Sequence, residues 1–473
     1  MNRPSIPDNI RWLALPSLIA KPLWFVFLLW TSRVLGPAEY GRLMLAVSFV
    51  AIVAVLLEGG VDILVVRRLA GRPAEAAALL GRTLPLKVAA AFVTIVVAGV
   101  ATWLWPAAGP GISLALLGAL VVALGQFLLH FRAVFRSFEW MKGDALSSLL
   151  EKGSIILACG AVLLVAPGAA TYLGAQAAAL VVTLLVTGAM VLRMTGRPRV
   201  MVDAGGLWRE VLRPALPFAL MNIFTVIYFR SGTLALSAIT GSADDVGFYN
   251  AGYRLVEAYM LLPGIIVTPL YPVFVRTMAD GPAVRWRLTE ATRAVLFLTT
   301  LGAGGLLLYP AEATQLFFGA AYAPAAHTVF LMSMAMFAIG LTFVFGTLVA
   351  AADKQGAANR WILAITLANV ALNIVLIRRF GLAGAGVTTF VTEALLALAN
   401  LFVVHHLVPW GSVLSLLARA GLALAAGFGV RVLLGPTLPF PWNAALAGAA
   451  MLAVLALTRV VQMRDVQRLL GRG

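Results

Sequence analysis

Charge is scarce in this chain of 473 residues, and acidic charge is scarcest. There are 19 Asp and Glu against 35 Lys and Arg, with 11% charged residues beside 62% hydrophobic ones. Together with a mean hydropathy of +0.97, this excludes a soluble globule, which could not hide that much apolar surface. Cys159 is the only cysteine, so no intrachain disulfide is possible and redox chemistry says nothing of the compartment. The four histidines (His130, His327, His405, His406) lack metal-ligand spacing, and neither a metal nor a cofactor is expected. No GxxxxGK[ST] loop is present, so ATP is not expected as a direct energy source. Paired carboxylates on soluble loops and nucleophile–base sets are also missing, which argues against an enzyme. The net charge of +16 does not point to nucleic acid, because the basic residues lie in short loops beside apolar runs.

What is present is a succession of apolar runs of roughly 20 residues, the length needed to cross a ~30 Å hydrocarbon core. The pattern predicts an all-α polytopic membrane protein with about fourteen transmembrane helices. They fall near 12–31, 43–66, 85–105, 113–131, 146–166, 171–192, 214–239, 248–275, 292–310, 326–350, 361–377, 383–404, 414–434 and 441–460. Lys21 and Pro22 interrupt the first run and no small-residue cleavage site follows, so a retained helix is expected there. Connections after even-numbered helices are basic, for example Arg67, Arg68, Arg72 and Arg82, or Arg132, Arg136 and Lys142. Most connections after odd-numbered helices carry no Lys or Arg; Arg33 with Arg42, and Arg378 with Arg379, are the dissenting pairs. Both termini are therefore predicted to be cytoplasmic.

Two cations sunk in apolar runs stand out. Lys21 lies in the first run and Arg230 in the seventh, and each run leads through a polar turn to a tyrosine, Tyr40 or Tyr249. When Tyr40 is laid on Tyr249, Lys21 falls on Arg230. A second match relates Tyr172–Gln176 to Gly381–Ala385. Both matches are six helices apart, an even offset, so a parallel repeat about an axis along the membrane normal is expected. The lobes are placed at 1–192 and 214–405, joined by a cytoplasmic linker at 193–213, with the last two helices and a tail in 406–473.

A mid-membrane charge costs roughly 3 kcal/mol or more, so Lys21 and Arg230 either project into a central cleft and attract an anion or are neutralised by a carboxylate on a neighbouring helix. Lys21 shares a helix face with Ser17 and Trp24, and Arg230 with Asn222, Val226 and Thr233. Candidate ion-coupling groups are Glu58, Asp62, Glu257 and Glu393. Glu58 and Asp62 lie four apart on one face and suit a proton relay, though Asp62 is expected to pair instead with Arg67 or Arg68. Arg254 and Glu257, three apart, are expected to pair unless protonation of Glu257 frees Arg254 for substrate. Asn369 and Asn373, four apart, either bond sugar hydroxyls or join helices. Prolines at 16, 22, 214, 217, 263, 269 and 272 permit kinks in or beside helices 1, 7 and 8.

The segment Arg33-Val34-Leu35-Gly36-Pro37-Ala38-Glu39-Tyr40-Gly41 resembles the RxLGPxxYG signature of bacterial polysaccharide flippases. Val246–Leu255, with Tyr249, resembles that family's entry to helix 8. Phe317–Ala326, with Gly319 and Tyr322, resembles its loop before helix 10, and Asn369–Asn373 with Gly381–Gly386 its helix 11–12 junction. The chain is thus identified as similar to Wzx-like oligosaccharide flippases of the multidrug/oligosaccharidyl-lipid/polysaccharide (MOP) exporter superfamily. The resemblance implies two six-helix lobes in a V around a cationic cleft, plus two C-terminal helices. It implies translocation of an undecaprenyl-pyrophosphate-linked oligosaccharide across the bacterial cytoplasmic membrane for O-antigen, capsule or exopolysaccharide synthesis. Membrane lipid and the polysaccharide polymerase and export machinery are the implied partners. Rival readings are a lipid II flippase and a multidrug/cation antiporter of the same superfamily. A multipass glycosyltransferase would need a large soluble loop, and a structural scaffold would not need matched cations.

Overall fold

Backbone amides in hydrocarbon must be satisfied within their own segment, so long apolar runs form helices. The computed structural model describes residues 12, 20–58, 61–70, 72–104, 109–198 and 213–460. The first half contains α1 (Lys21–Glu58), α2 (Val61–Leu69), α3 (Ala76–Leu104), α4 (Ile112–Ser137), α5 (Met141–Val165), α6 (Ala169–Thr195) and α7 (Arg213–Thr240). There follow α8 (Ala243–Val267), α9 (Tyr271–Thr277), α10 (Gly281–Leu308), α11 (Pro310–Phe318), α12 (Ala326–Ala351) and α13 (Gln355–Phe380). The last are α14 (Leu382–Val404), α15 (Trp410–Leu434) and α16 (Phe440–Leu457), and no strand occurs among the described residues.

Thirteen segments among the described residues are long and apolar enough to span a membrane. The difference from the expected fourteen lies at one residue. The first two predicted spans are joined in α1, which kinks at Gly36 with φ 71° and ψ 172°. Pro37 disfavours helical geometry in the residue before it and supplies no N–H, and glycine can take the positive φ that results. Two helices therefore meet at Gly36 inside the α1 range, where the sequence places the polar turn between the first two spans. The remaining spans coincide with the predicted ones to within their ends. Glu58 closes α1 with its side chain outside the described residues, as are Ser17, most of the 193–213 segment and the tail beyond residue 460.

Two compact units divide the chain, Met1–Gly247 and Phe248–Gly473. In the first, Val61, Leu64, Val65 and Leu69 of α2 form a buried cluster with residues of α3, α4 and α6, and α7 packs along α1. In the second, Val284, Leu288 and Val295 of α10 meet Val344, Phe345 and Leu348 of α12. α15 and α16 pack on α10 through Leu416, Ala423, Met451 and Leu455. The Tyr309 hydroxyl, at the end of α10, donates to Asn443 Oδ1 of α16. Large apolar side chains point outward from both units, with Val165 87% and Leu457 82% exposed. That pattern requires a lipid solvent.

Candidate functional site

The first unit concentrates membrane-embedded cations, and the structure separates those that are neutralised from those that are not. Lys87, in the α3 run, is 1% exposed and lies 3.2 Å from Asp62 Oδ1. Its charge is cancelled in place. Lys21, in the first turn of α1, is exposed, and Arg230, on the adjacent helix α7, is half-buried. Neither lies within ion-pair distance of a carboxylate among the described residues. Asn222, two turns before Arg230, is exposed as well. Lys152 of α5 joins this region: its ammonium sits 4.4 Å over the ring of Trp24, one turn from Lys21, and 2.7 Å from Glu151 Oε1. Lys152 is therefore paired with Glu151 while its ammonium rests on the Trp24 face.

Asp62 is placed differently from expectation. Its described partners are Lys87 and His130 rather than Arg67 or Arg68: His130 Nδ1 lies 2.7 Å from Asp62 Oδ1, and His130 Nε2 lies 2.9 Å from the Thr83 hydroxyl. The sequence pattern favoured the arginines because they lie on Asp62's own helix. α3 and α4 instead pack close enough to supply both partners. On α4 and α5, Arg132 Nε bonds Asp144 at 2.6 Å and Arg132 Nη1 bonds Glu151 at 3.2 Å. Arg136 also reaches Asp144, at 3.3 Å. These two arginines, expected as loop charges, are tied into helix packing.

In the second unit, Arg254 Nη1 meets Glu257 Oε2 at 2.5 Å, the pairing that three-residue spacing on a helix allows. Glu257→Gln tests whether that pair is also a switch. The expected outcome is transport lowered several-fold at unchanged protein level, read by immunoblot beside a transport assay; undiminished transport removes the switch. Asn369 donates to Thr392 Oγ1 at 3.0 Å and accepts from Asn373 at 3.1 Å, both amides being buried. Of the two sequence readings, the helix-joining one describes this geometry, since the amides link α13 to α14. Glu393, next to Thr392, is 5% exposed in the same layer.

The motif residues serve packing. Tyr40 is fully buried, and Glu39 accepts from the Ala169 N–H at 2.8 Å, capping the start of α6 while also pairing with Arg42. Arg33 is exposed on α1. Gly41 lies against the Ala243 carbonyl, and Gly247 against the carbonyl of Pro37. Tyr249 is buried, with its hydroxyl 3.1 Å from Thr389 Oγ1. Gly319 ends α11, and Tyr322 is fully buried beside Phe248 and Phe318.

The family model described as "Polysaccharide biosynthesis protein" matches residues 6–278, more than half of the chain. This chain belongs to the polysaccharide biosynthesis protein family. Its membership agrees with the Wzx-like, MOP-superfamily motifs. No curated protein matches its sequence at a significant level. Among solved structures it resembles the lipid II flippase MurJ in an inward closed conformation, with a TM-score of 0.72 at 14% identity over 95% of this chain and 98% of that one. It also resembles an inward-facing multidrug resistance MATE family transporter of the MOP superfamily, with a TM-score of 0.64 at 16% identity over 84% and 98% of the two chains. A MOP superfamily transporter from Pyrococcus furiosus, described as having a binding pocket of reversed polarity, gives 0.56 at 14% identity over 86% and 96%. At these identities the likeness establishes the fold alone, one shared with a flippase and with membrane transporters.

For a polysaccharide-family protein of this fold, the residues that sequence reading missed are as informative as those it found. Lys87 meets the same criterion as Lys21, a cation inside an apolar run, and that signal was available. His130, Asp144 and Glu151 carried no periodic signal, because they have partners on other helices. Two grooves of the second unit, of about 590 and 380 Å³, are lined almost wholly by apolar side chains such as Leu307, Phe330, Phe428, Trp361 and Phe402. Apart from Arg431 in the larger groove, these linings offer no polar side chain to sugar hydroxyls, and the candidate anion site is placed on the cation-bearing helices of the first unit.

Proposed function

We propose that this protein flips a polyprenyl-pyrophosphate-linked oligosaccharide repeat unit from the cytoplasmic to the outer leaflet of a bacterial cytoplasmic membrane, by alternating access, for cell-surface polysaccharide synthesis. The observation that carries the reading is the contrast between Lys87, neutralised in place, and Lys21 and Arg230, which lack a carboxylate among the described residues. Unneutralised cations on membrane helices mark a path for anions. Arg230 suits a pyrophosphate through its planar fork, and Lys21 as a point charge. The sugars require a hydrated route, while the polyprenyl tail stays in lipid. Outward movement of negative charge is favoured by an inside-negative potential, at about 2.3 kcal/mol per charge per 100 mV. A proton or sodium gradient adds to that drive through the buried acidic groups. Both termini are placed in the cytoplasm, on the basic-loop pattern. Polymerase and export proteins are the candidate partners.

Family membership favours a surface-polysaccharide repeat unit. The MurJ-like fold supports a second reading, lipid II as cargo, with the same pyrophosphate and a smaller sugar load. Leaflet-resolved quantification of undecaprenyl-pyrophosphate-linked sugars in a strain lacking the protein separates the two. Accumulation of a polysaccharide repeat unit on the cytoplasmic leaflet is expected, relieved by the wild-type protein. Accumulation of lipid II selects the second reading, and unchanged lipid-linked sugars overturn both.

A further inference from the structure

The first unit buries an acid–base cluster that anion binding does not use. Asp62 of α2, Lys87 and Thr83 of α3, and His130 of α4 converge where three helices pack. His130 and Thr83 are fully buried and Lys87 is 1% exposed, while the Asp62 side chain is 27% exposed. Buried ionisable groups of this kind are expensive in a membrane protein and call for a specific use.

Every ring nitrogen of His130 has a partner in either charge state. With a neutral ring, Nδ1–H donates to Asp62 Oδ1 at 2.7 Å, and Nε2 accepts from the Thr83 hydroxyl at 2.9 Å. With a doubly protonated ring, Nε2–H donates to Thr83 Oγ1. The hydroxyl then turns its own proton to the Leu79 carbonyl, 3.0 Å away. The same heavy-atom positions therefore hold zero or one extra proton, and Thr83 acts as the rotor that distinguishes them. One proton is taken up and none released. The charge of Asp62, Lys87 and His130 together passes from zero to +1.

We propose that His130 is a proton-binding site, clasped between the Asp62 carboxylate and the Thr83 hydroxyl. Further charges on the packed helices are Arg67 and Arg68 of α2, Arg82 of α3, Arg132 and Arg136 of α4, Arg213 and Arg230 of α7, and Lys21, Arg33, Glu39, Arg42 and Glu58 of α1, the last with its side chain outside the described residues. Arg132 and Arg136 are held by Asp144. Loading a proton adds positive charge between α2, α3 and α4. α2 also packs on α7, which carries Arg230, so the proton and an anionic cargo act on the same helix pair. The use of the site in transport rests on the flippase reading; its protonation does not.

The chain has only four histidines, so ring-nitrogen NMR of the full protein in nanodiscs, with histidine labelled, resolves His130 once H130Q assigns it. On acidification the His130 ring is expected to pass reversibly from one N–H to two. Thr83→Val removes the Nε2 acceptor at nearly constant volume and should abolish that change, and Thr83→Ser should restore it. A ring that keeps one charge state throughout, or titrates in Thr83→Val as in wild type, overturns the site. In proteoliposomes at zero membrane potential, an imposed pH gradient should accelerate lipid-linked sugar movement at least tenfold in wild type and not in H130Q. Equal acceleration in both removes the coupling role. If no protein moves lipid-linked sugar, the flippase reading fails while the titration result stands.

Discussion

Replacing Lys21 and Arg230 together by alanine should reduce flipping by more than a hundredfold while leaving the protein folded and abundant. Arg230 is half-buried and Lys21 exposed, and neither has a carboxylate partner among the described residues. Removing them therefore strands no opposite charge among the described residues, which is the usual source of instability when a buried ion pair is broken. What is lost is two charge-assisted contacts to a phosphate group. At roughly 1.5–3 kcal/mol each, these predict about a 10- to 150-fold loss for either single variant. Leaflet-resolved measurement of lipid-linked sugars, normalised to protein level, checks the result. Lys87→Ala is the informative contrast. Lys87 is 1% exposed and bound to Asp62, so its removal leaves that carboxylate with His130 alone and should lower thermal stability before it touches transport. If Lys21→Ala and Arg230→Ala instead lose protein and keep per-molecule activity, both cations are packing residues and the anion path lies elsewhere. Arg230→Lys should recover part of the activity but not all of it, because an ammonium cannot reproduce the bidentate fork.

The reach of the sequence differs between fold and site for a definable reason. Spans are local: each needs only a run of apolar residues, so twelve of the thirteen segments coincide with a single predicted helix. The exception, α1, holds two predicted helices that meet at Gly36, whose φ of 71° and ψ of 172° are not helical. Within the candidate site, contacts three or four residues apart were readable from helical periodicity. Arg254 with Glu257 and Asn369 with Asn373 are of that kind. The Asp62–Lys87–His130 cluster joins residues 25 and 68 positions apart on three helices. No periodicity relates them, and only packing brings them together. The repeat suffered the mirror-image limit. It located Lys21 and Arg230 as equivalent positions but could not tell a neutralised cation from an open one, which is why Lys87 passed unremarked beside them.

Gly41→Val should leave almost no folded protein, an effect larger than any single core truncation in the first unit. A Cβ built on Gly41 falls on the Ala243 carbonyl, and the next atoms in its way are the Ala243 carbonyl carbon and the Gly247 nitrogen, all backbone. A side chain could rotate aside, but here a whole helix terminus has to move. Gly247 meets the Pro37 carbonyl in the same manner, so the turn at 36–41 and the segment at 241–247 grip each other from both sides. Overpacking typically costs 1–3 kcal/mol when neighbours can relax, and with fixed backbone on the receiving side the cost should exceed that range. The consequence spreads, because Tyr40 beside it is fully buried and Glu39 caps α6 through the Ala169 N–H. Separating the two segments would expose the first and uncap the second. The glycine that ends the RxLGPxxYG motif is thus set by close backbone approach rather than by contact with cargo. Detergent-extracted protein followed by size-exclusion fluorescence should show Gly41→Val aggregated or absent. Gly125→Ala, with open space where its Cβ would stand, should elute as wild type. A well-folded but inactive Gly41→Val protein would reverse the assignment and place this turn in the transport path itself.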